Sequence, residues 1–208
     1  ALNIPGGLTG YATPGYPHRY FVDGELTVAD VYLDGAWKTV LVGTMGRGGK
    51  GVFALDITDP GDIKFLWEKY GTQVPSLGNN LGKPVIAQTA NGVWRVLLGN
   101  GPNSADGKAQ LVTLDVGTGA VSSIDTGVGS DNGLSGVRTW DSNADGFIDS
   151  AYAGDFKGNL WKFSNIGTGT ASAAVLFRAT DSGGNAQAIT ATPLVGRKPD
   201  SLETWVFF

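Results

Sequence analysis

Val28-Ala-Asp-Val-Tyr-Leu33, then Asp34-Gly35, then Ala36-Trp-Lys-Thr-Val-Leu-Val-Gly43, reads as two strands folded around a two-residue turn. Apolar and polar side chains alternate through both runs, and Asp-Gly suits the two positive-φ positions of a tight hairpin turn. Gly51-Val-Phe-Ala-Leu-Asp56-Ile57 follows as a further strand. The same order returns as Pro84-Val-Ile-Ala-Gln-Thr89, the turn Asn91-Gly92, Val93-Trp-Arg-Val-Leu-Leu-Gly99, and Leu111-Val-Thr-Leu-Asp115-Val116. A third copy runs Gly136-Val-Arg-Thr-Trp140, an insertion, Ser150-Ala-Tyr-Ala-Gly154, and Gly158-Asn-Leu-Trp-Lys-Phe-Ser164. Gly43, Gly99 and Gly154 mark one repeat position at separations of 56 and 55 residues. That length suits a four-stranded unit, and such units stacked radially make a β-propeller.

The expected fold is therefore all-β, with about three and a half blades in 208 residues. The repeats are placed at 28–75, 84–130, 134–180 and 189–208, the last breaking off within Thr204-Trp-Val-Phe-Phe208. Because a closed propeller needs about four to eight blades, residues 1–208 read as part of one larger propeller domain. Glycine, at 33 residues, is about twice its usual ~7% share, as many short strands joined by tight turns require. Hydrophobic residues make up 41% of the chain, enough for a packed core.

The insertion in the third repeat is Asp141-Ser-Asn143-Ala-Asp145-Gly146-Phe147-Ile148-Asp149. Oxygen-bearing side chains fall at positions 1, 3, 5 and 9, with glycine at 6, the spacing by which a coiled loop converges on Ca²⁺. Asp141, Asn143, Asp145 and Asp149 supply side-chain oxygens, the Phe147 carbonyl another, and Ile148 faces the core. Three carboxylates this close repel one another without a cation. Position 12 is Tyr152 rather than the glutamate of an EF-hand, and residues 150–163 alternate like a hairpin, so strands and not helices flank the loop. Magnesium, which prefers a smaller octahedral site that keeps several waters, fits less well. The competing reading is an Asx-rich turn whose side chains cap its own backbone.

Other patterns point away from common activities. A net charge of −4, a pI near 4.9 and the lack of a basic cluster speak against nucleic acid as a partner. No apolar run of ~18 residues spans a membrane, and no signal peptide is evident. The chain has no cysteine and one histidine, His18, so neither a Cys-His dyad nor a histidine-rich zinc site is available. Ser135 or Ser150 beside His18 remains a formal combination. Gly46-Arg-Gly-Gly-Lys-Gly51 matches a dinucleotide fingerprint, yet the residues after it read as a strand, which makes it a turn. Glu25, Glu68 and Glu203 are far apart and read as surface carboxylates rather than a glycosidase pair. Trp37, Trp94 and Trp161 recur among the repeats, which favours blade packing over a sugar platform. No catalytic residue is assigned, and the expectation is a protein that is not an enzyme.

With repeat and loop both placed, the chain resembles the C-terminal propeller of the PilY/PilC family of type IV pilus biogenesis proteins and tip adhesins. The resemblance rests on His18-Arg-Tyr-Phe-Val-Asp-Gly24, on Trp37–Gly43 with Gly49-Lys-Gly-Val-Phe-Ala-Leu-Asp-Ile-Thr-Asp-Pro60, and on the loop followed by Tyr152-Ala-Gly-Asp-Phe-Lys-Gly-Asn-Leu-Trp-Lys-Phe163. It covers nearly the whole chain. It implies a seven-bladed modified propeller with calcium at Asp141, Asn143, Asp145, Phe147 and Asp149. An exported protein at the pilus tip, the cell surface, the outer membrane or the periplasm is also implied. Its partners would be pilins, minor pilins and a host-cell surface, and its calcium would bias pilus extension against retraction, twitching motility, attachment and virulence. No Arg-Gly-Asp tripeptide occurs, so integrin recognition is not supported. The rival classes are a pyrroloquinoline-quinone propeller dehydrogenase, which added quinone would reveal by its absorbance, and a calcium-stiffened structural module without a switching role.

Overall fold

The computed structural model describes residues 14–89, 92–201 and 203–208, and the expected Asn91-Gly92 turn falls partly outside them at Asn91. Three antiparallel four-stranded sheets follow one another in chain order. The first comprises β1 (Leu26–Leu33), β2 (Ala36–Thr44), β3 (Gly51–Asp56) and β4 (Lys64–Tyr70); the second β5 (Val85–Gln88), β6 (Trp94–Gly99), β7 (Gln110–Asp115) and β8 (Val121–Asp125). The third holds β9 (Arg138–Trp140), β10 (Ser150–Gly154), β11 (Asn159–Ser164) and β12 (Ser172–Arg178). A fourth begins as the hairpin β13 (Leu194–Arg197) and β14 (Thr204–Phe207). Asp34 and Gly35 lie at φ of 52° and 82°, the mirror-image turn read from Asp-Gly. Gly46-Arg47-Gly48 is a single 3-10 turn between two strands, so the glycine fingerprint opens no α-helix.

Strand period two explains why the middle sheet reads as nearly continuous apolar sequence. Val96 and Leu98 of β6, with Val112 and Leu114 of β7, pack on Val31, Val40, Val42 and Val52 of the first sheet. Leu97 and Leu111, on the opposite face, join Ala151, Ala153 and Phe163 of the third, with Leu134 from the segment before it. In β6 and β7 both faces are largely buried, and little alternation of polarity survives. The Trp67 indole adds a polar tie between the first two sheets by donating to the Val116 carbonyl at 2.8 Å.

The repeat glycines are sites of close approach. A Cβ on Gly99 would sit 1.9 Å from the Ser135 carbonyl oxygen, in the segment leading into the next sheet, and one on Gly154 would sit 2.2 Å from Ile189 Cγ2. The residues that follow these glycines, Thr44, Asn100 and Asp155, are each fully buried. Asn100 Oδ1 accepts from the Gln110 and Leu134 amides at 3.0 and 2.9 Å, which joins the second sheet to the third.

The tryptophan pattern needs correction at one position. Trp37 and Trp94 both lie at the start of a second strand, and their rings meet edge-on at 6.4 Å across the first two sheets. Trp161 lies instead on a third strand, opposite Ala153, in the register that Ala54 and Val112 hold in the other sheets. Trp37 is also 64% exposed, on the side of the first sheet that carries exposed Val28 and Phe65.

Candidate metal centre

Residues 141–149 connect β9 to β10, where the first sheet uses only Asp34-Gly35. Strands flank the loop on both sides, and its exit is anchored: Ile148 is 8% exposed in the core, and its amide donates to the Gln88 carbonyl at 2.9 Å. Asp149 N donates to the Trp140 carbonyl at 3.0 Å and closes the base of the loop.

Between these anchors, side-chain oxygens organise the backbone. Asp141 accepts from the Ala144 amide at 2.7 Å and the Gly146 amide at 2.8 Å, one on each carboxylate oxygen. Asn143 Oδ1 accepts from the Asp145 amide at 3.1 Å, while its Nδ2 donates to Asp145 Oδ2 at 2.9 Å. Asp145 Oδ1 accepts from the Phe147 amide at 2.8 Å. Asp149 Oδ2 accepts both the Ser142 amide, at 2.7 Å, and the Ser142 hydroxyl. Those two bonds, hydroxyl first, hold the Asp149 carboxyl below the usual carboxylate range, helped by the Asn143 amide and the charge of Lys162. Gly146 lies at φ 89°, as its place at position 6 requires. Ala144 also lies in the left-handed region at φ 62°, which nothing in its residue type foretold.

The donor set suits a hard cation. Every candidate ligand is an oxygen, and each carboxylate retains lone pairs beyond those used by the amides, since an ionised carboxylate offers about four acceptor sites. Among the described residues, none of the three carboxylates makes an ion pair, and no three His, Cys, Asp or Glu side chains group into a ready metal cage. The loop thus shows the Asx-turn pattern together with an all-oxygen donor set. Both carboxylate oxygens of Asp141 and of Asp145 already accept hydrogen bonds within the loop, and further lone pairs on them and on Asn143 and Asp149 are what a cation would use.

Residues weighed for catalysis are dispersed. His18 is exposed, its ring edge-on to Tyr20 at 4.8 Å. Ser135 is buried and donates to the Gly154 carbonyl at 3.0 Å, and buried Ser150 donates to the Tyr152 hydroxyl at 3.4 Å. Glu25 and Glu68 belong to the first sheet region, whereas Glu203 pairs with Lys198 at 3.5 Å beside the last. A cavity of about 240 Å³ lined by Glu25, Gly82, Ser135, Gly136 and Thr192 includes none of residues 141–149.

The PilY1 beta-propeller domain family matches residues 7–175. The chain belongs to this family. A type IV pilus biogenesis factor PilY1 homolog of Xylella fastidiosa is 48% identical over 202 residues, covering 97% of this chain and 16% of that protein. The type IV pilus biogenesis factor PilY1 of Pseudomonas aeruginosa is 43% identical, covering 92% of this chain and 19% of its own length. The crystal structure of the P. aeruginosa PilY1 C-terminal domain superposes with a TM-score of 0.77 at 43% identity, covering 86% of this chain and 42% of that one. The chain therefore spans less than a fifth of these curated PilY1 relatives, and its sheets are blades of a β-propeller of that family.

Sequence reasoning missed three contributors to the site. Ser142, at the unremarked position 2, ties the loop's entry to Asp149. Gln88 and Arg197 reach the loop from other blades and carry no local signal.

Proposed function

We propose that this chain is the calcium-responsive part of the propeller of an exported type IV pilus biogenesis protein. Cation occupancy of its loop would bias pilus extension against retraction, and with it twitching motility and surface attachment. The observation that carries this reading is one nine-residue loop with oxygen donors at positions 1, 3, 5, 7 and 9, inserted where a sister blade uses two residues. The relatives' names, type IV pilus biogenesis factors, support a role with the pilus machinery that is not enzymatic and a location outside the inner membrane. No helix among the described residues is long and apolar enough to cross a membrane.

Asp141, Asn143, Asp145, the Phe147 carbonyl and Asp149 would hold the ion. A bound Ca²⁺ supplies positive charge that offsets the mutual repulsion of three carboxylates. The protein's own residues do the rest. Gly146 turns the chain so that both arms of the loop face one another, Asp149 clamps the entry through Ser142, and buried Ile148 keeps the exit fixed on the core. Loss of the ion would loosen the exposed segment 142–146 while β9 and β10 stay paired. Extracellular calcium sites often bind at about 10⁻⁴–10⁻³ M, a range in which external calcium acts as a signal.

Cells carrying Asp149→Ala test this reading. Surface piliation and twitching should change with external calcium in the parent strain and stay flat in the variant, at equal protein levels. An Asp149→Ala strain that responds like its parent would remove the loop from pilus control.

A further inference from the structure

The loop is gripped from both neighbouring blades. On one side, the Ile148 amide bonds the Gln88 carbonyl and Thr89 forms a parallel bridge with Ile148, so the loop's exit pairs alongside the end of the first strand of the second blade. On the other, Arg197, the last residue of β13, donates from Nη2 to the Ser142 carbonyl. Ser142 in turn gives its amide and hydroxyl to Asp149. A continuous polar path therefore runs from the fourth blade, through position 2 of the loop, to the carboxylate at position 9.

Among the described residues, the other polar ties between the third and fourth blades lie before β13 or at its start, beginning with the Ile189 amide, which donates to the Asp155 carbonyl at 3.0 Å. Arg138 Nε donates to the Pro193 carbonyl at 3.4 Å, and Ser135 Oγ reaches the Ala191 carbonyl at 3.4 Å. Gly136 approaches Thr192 so closely that a Cβ would fall 1.9 Å from its hydroxyl. These contacts fix the start of β13 regardless of the loop. Among the described residues, Arg197 is the one whose hydrogen bond ties the far end of the strand to the loop.

We infer that Arg197 is a positioning residue through which cation occupancy of the loop is passed to the fourth blade. The inference rests on the calcium reading of the loop. Arg197 uses the carbonyl of position 2, which is not among the expected ligands at positions 1, 3, 5, 7 and 9, so guanidinium and cation do not compete for an atom. An ion that orders residues 141–149 fixes the Ser142 carbonyl, and a fixed carbonyl holds Arg197 and the end of β13. Coupling of this kind is reciprocal, and its usual size is about 5–150-fold; one exposed bond belongs at the lower end.

Hydrogen exchange of the full-length protein, with calcium and with chelator, reads the coupling, alongside calorimetry of calcium binding. In the parent protein calcium should slow exchange of the loop and, about fivefold, of the amides of Leu194–Arg197 and Thr204–Phe207. Arg197→Ala should still bind calcium and protect its loop, but should lose the protection of β13 and β14. Arg197→Lys, which keeps a charged donor, should restore part of it. Calcium binding without a change in β13, or an undiminished change in Arg197→Ala, would overturn the coupling and leave the calcium site standing. No calcium binding to the parent protein would overturn both.

Discussion

A single methyl group added at each repeat glycine should give three different outcomes. None of Gly43, Gly99 and Gly154 lies at positive φ, so alanine meets no backbone strain and only neighbouring atoms decide. At Gly99 the new Cβ falls 1.9 Å from the Ser135 carbonyl oxygen and 2.6 Å from that of Leu134, both backbone. That segment is pinned by Ser135 N to the Gly154 carbonyl at 2.8 Å and by Gly101 N to the Leu134 carbonyl at 3.0 Å. Retreat to van der Waals contact breaks or stretches both bonds. Overpacking at about 1–3 kcal/mol and two buried hydrogen bonds at about 1 kcal/mol each give about 3–5 kcal/mol for Gly99→Ala. At Gly154 the obstacle is the stiff, buried Ile189 side chain at 2.2 Å, for which about 2–3 kcal/mol is expected. At Gly43 the nearest atoms are the ends of the Phe53 and Leu26 side chains, at 2.5 and 2.7 Å, and Leu26 is half exposed. These can swing away, and the stiffer unfolded chain returns about 0.4–1 kcal/mol, so Gly43→Ala should lie near the parent. Urea unfolding of the propeller, followed by tryptophan fluorescence, should rank the variants Gly99→Ala, Gly154→Ala, Gly43→Ala from least to most stable. Equal shifts, or Gly43→Ala as the worst of the three, would refute the assignment of the glycines to blade contacts.

Two further substitutions test buried polar groups. Asp155 accepts from the Lys157 and Asn159 amides on Oδ1, and from Asn132 Nδ2, Asn159 Nδ2 and Trp161 Nε1 on Oδ2, at 2.8–3.1 Å. An isosteric Asp155→Asn must aim its own NH₂ at donors whichever way it turns, and should cost about 3 kcal/mol in urea unfolding; a loss below 1 kcal/mol would show that the donors relocate freely. The Asp56 carboxyl is held below its usual range, chiefly by the Thr58 hydroxyl and then the Thr58 amide, with Lys38 3.7 Å away. A lowered folded-state pKa contributes stability that is present above the unfolded value, about 3.9, and is lost as pH falls through the folded value. Thr58→Val should therefore be less stable at neutral pH and should lose less on acidification below pH 4, and parallel pH profiles for parent and variant would contradict this.

The blades were legible because their signals are local. Alternation in 28–33 and 36–43 and the Asp34-Gly35 turn need no partner beyond the hairpin. The recurrence of Gly43, Gly99 and Gly154 was visible too, but its cause was not: the atoms that exclude a side chain at Gly99 belong to residues 134 and 135 of another blade. Trp161 is the opposite case, a repeated residue type that does not mark a repeated register. In the loop, oxygen spacing and Gly146 follow from short-range geometry, whereas the left-handed Ala144 has no compositional signal. Contacts from Gln88 and Arg197, 60 and 55 residues from their partners Ile148 and Ser142, exist only once the blades are packed. Asp155 did carry a usable sign. Asp155-Phe-Lys-Gly158-Asn159 has the Asx-turn residues, and Gly158 adopts φ 83°.

The central claim is that residues 141–149 bind calcium, and isothermal calorimetry of calcium into chelator-stripped full-length protein tests it most directly, with Asp149→Ala as control. The account predicts one saturable site in the parent, lost in the variant, while the β-sheet circular dichroism of both is the same. Absence of binding heat in the parent, with no metal found on elemental analysis, would contradict it and leave the loop as a set of Asx turns.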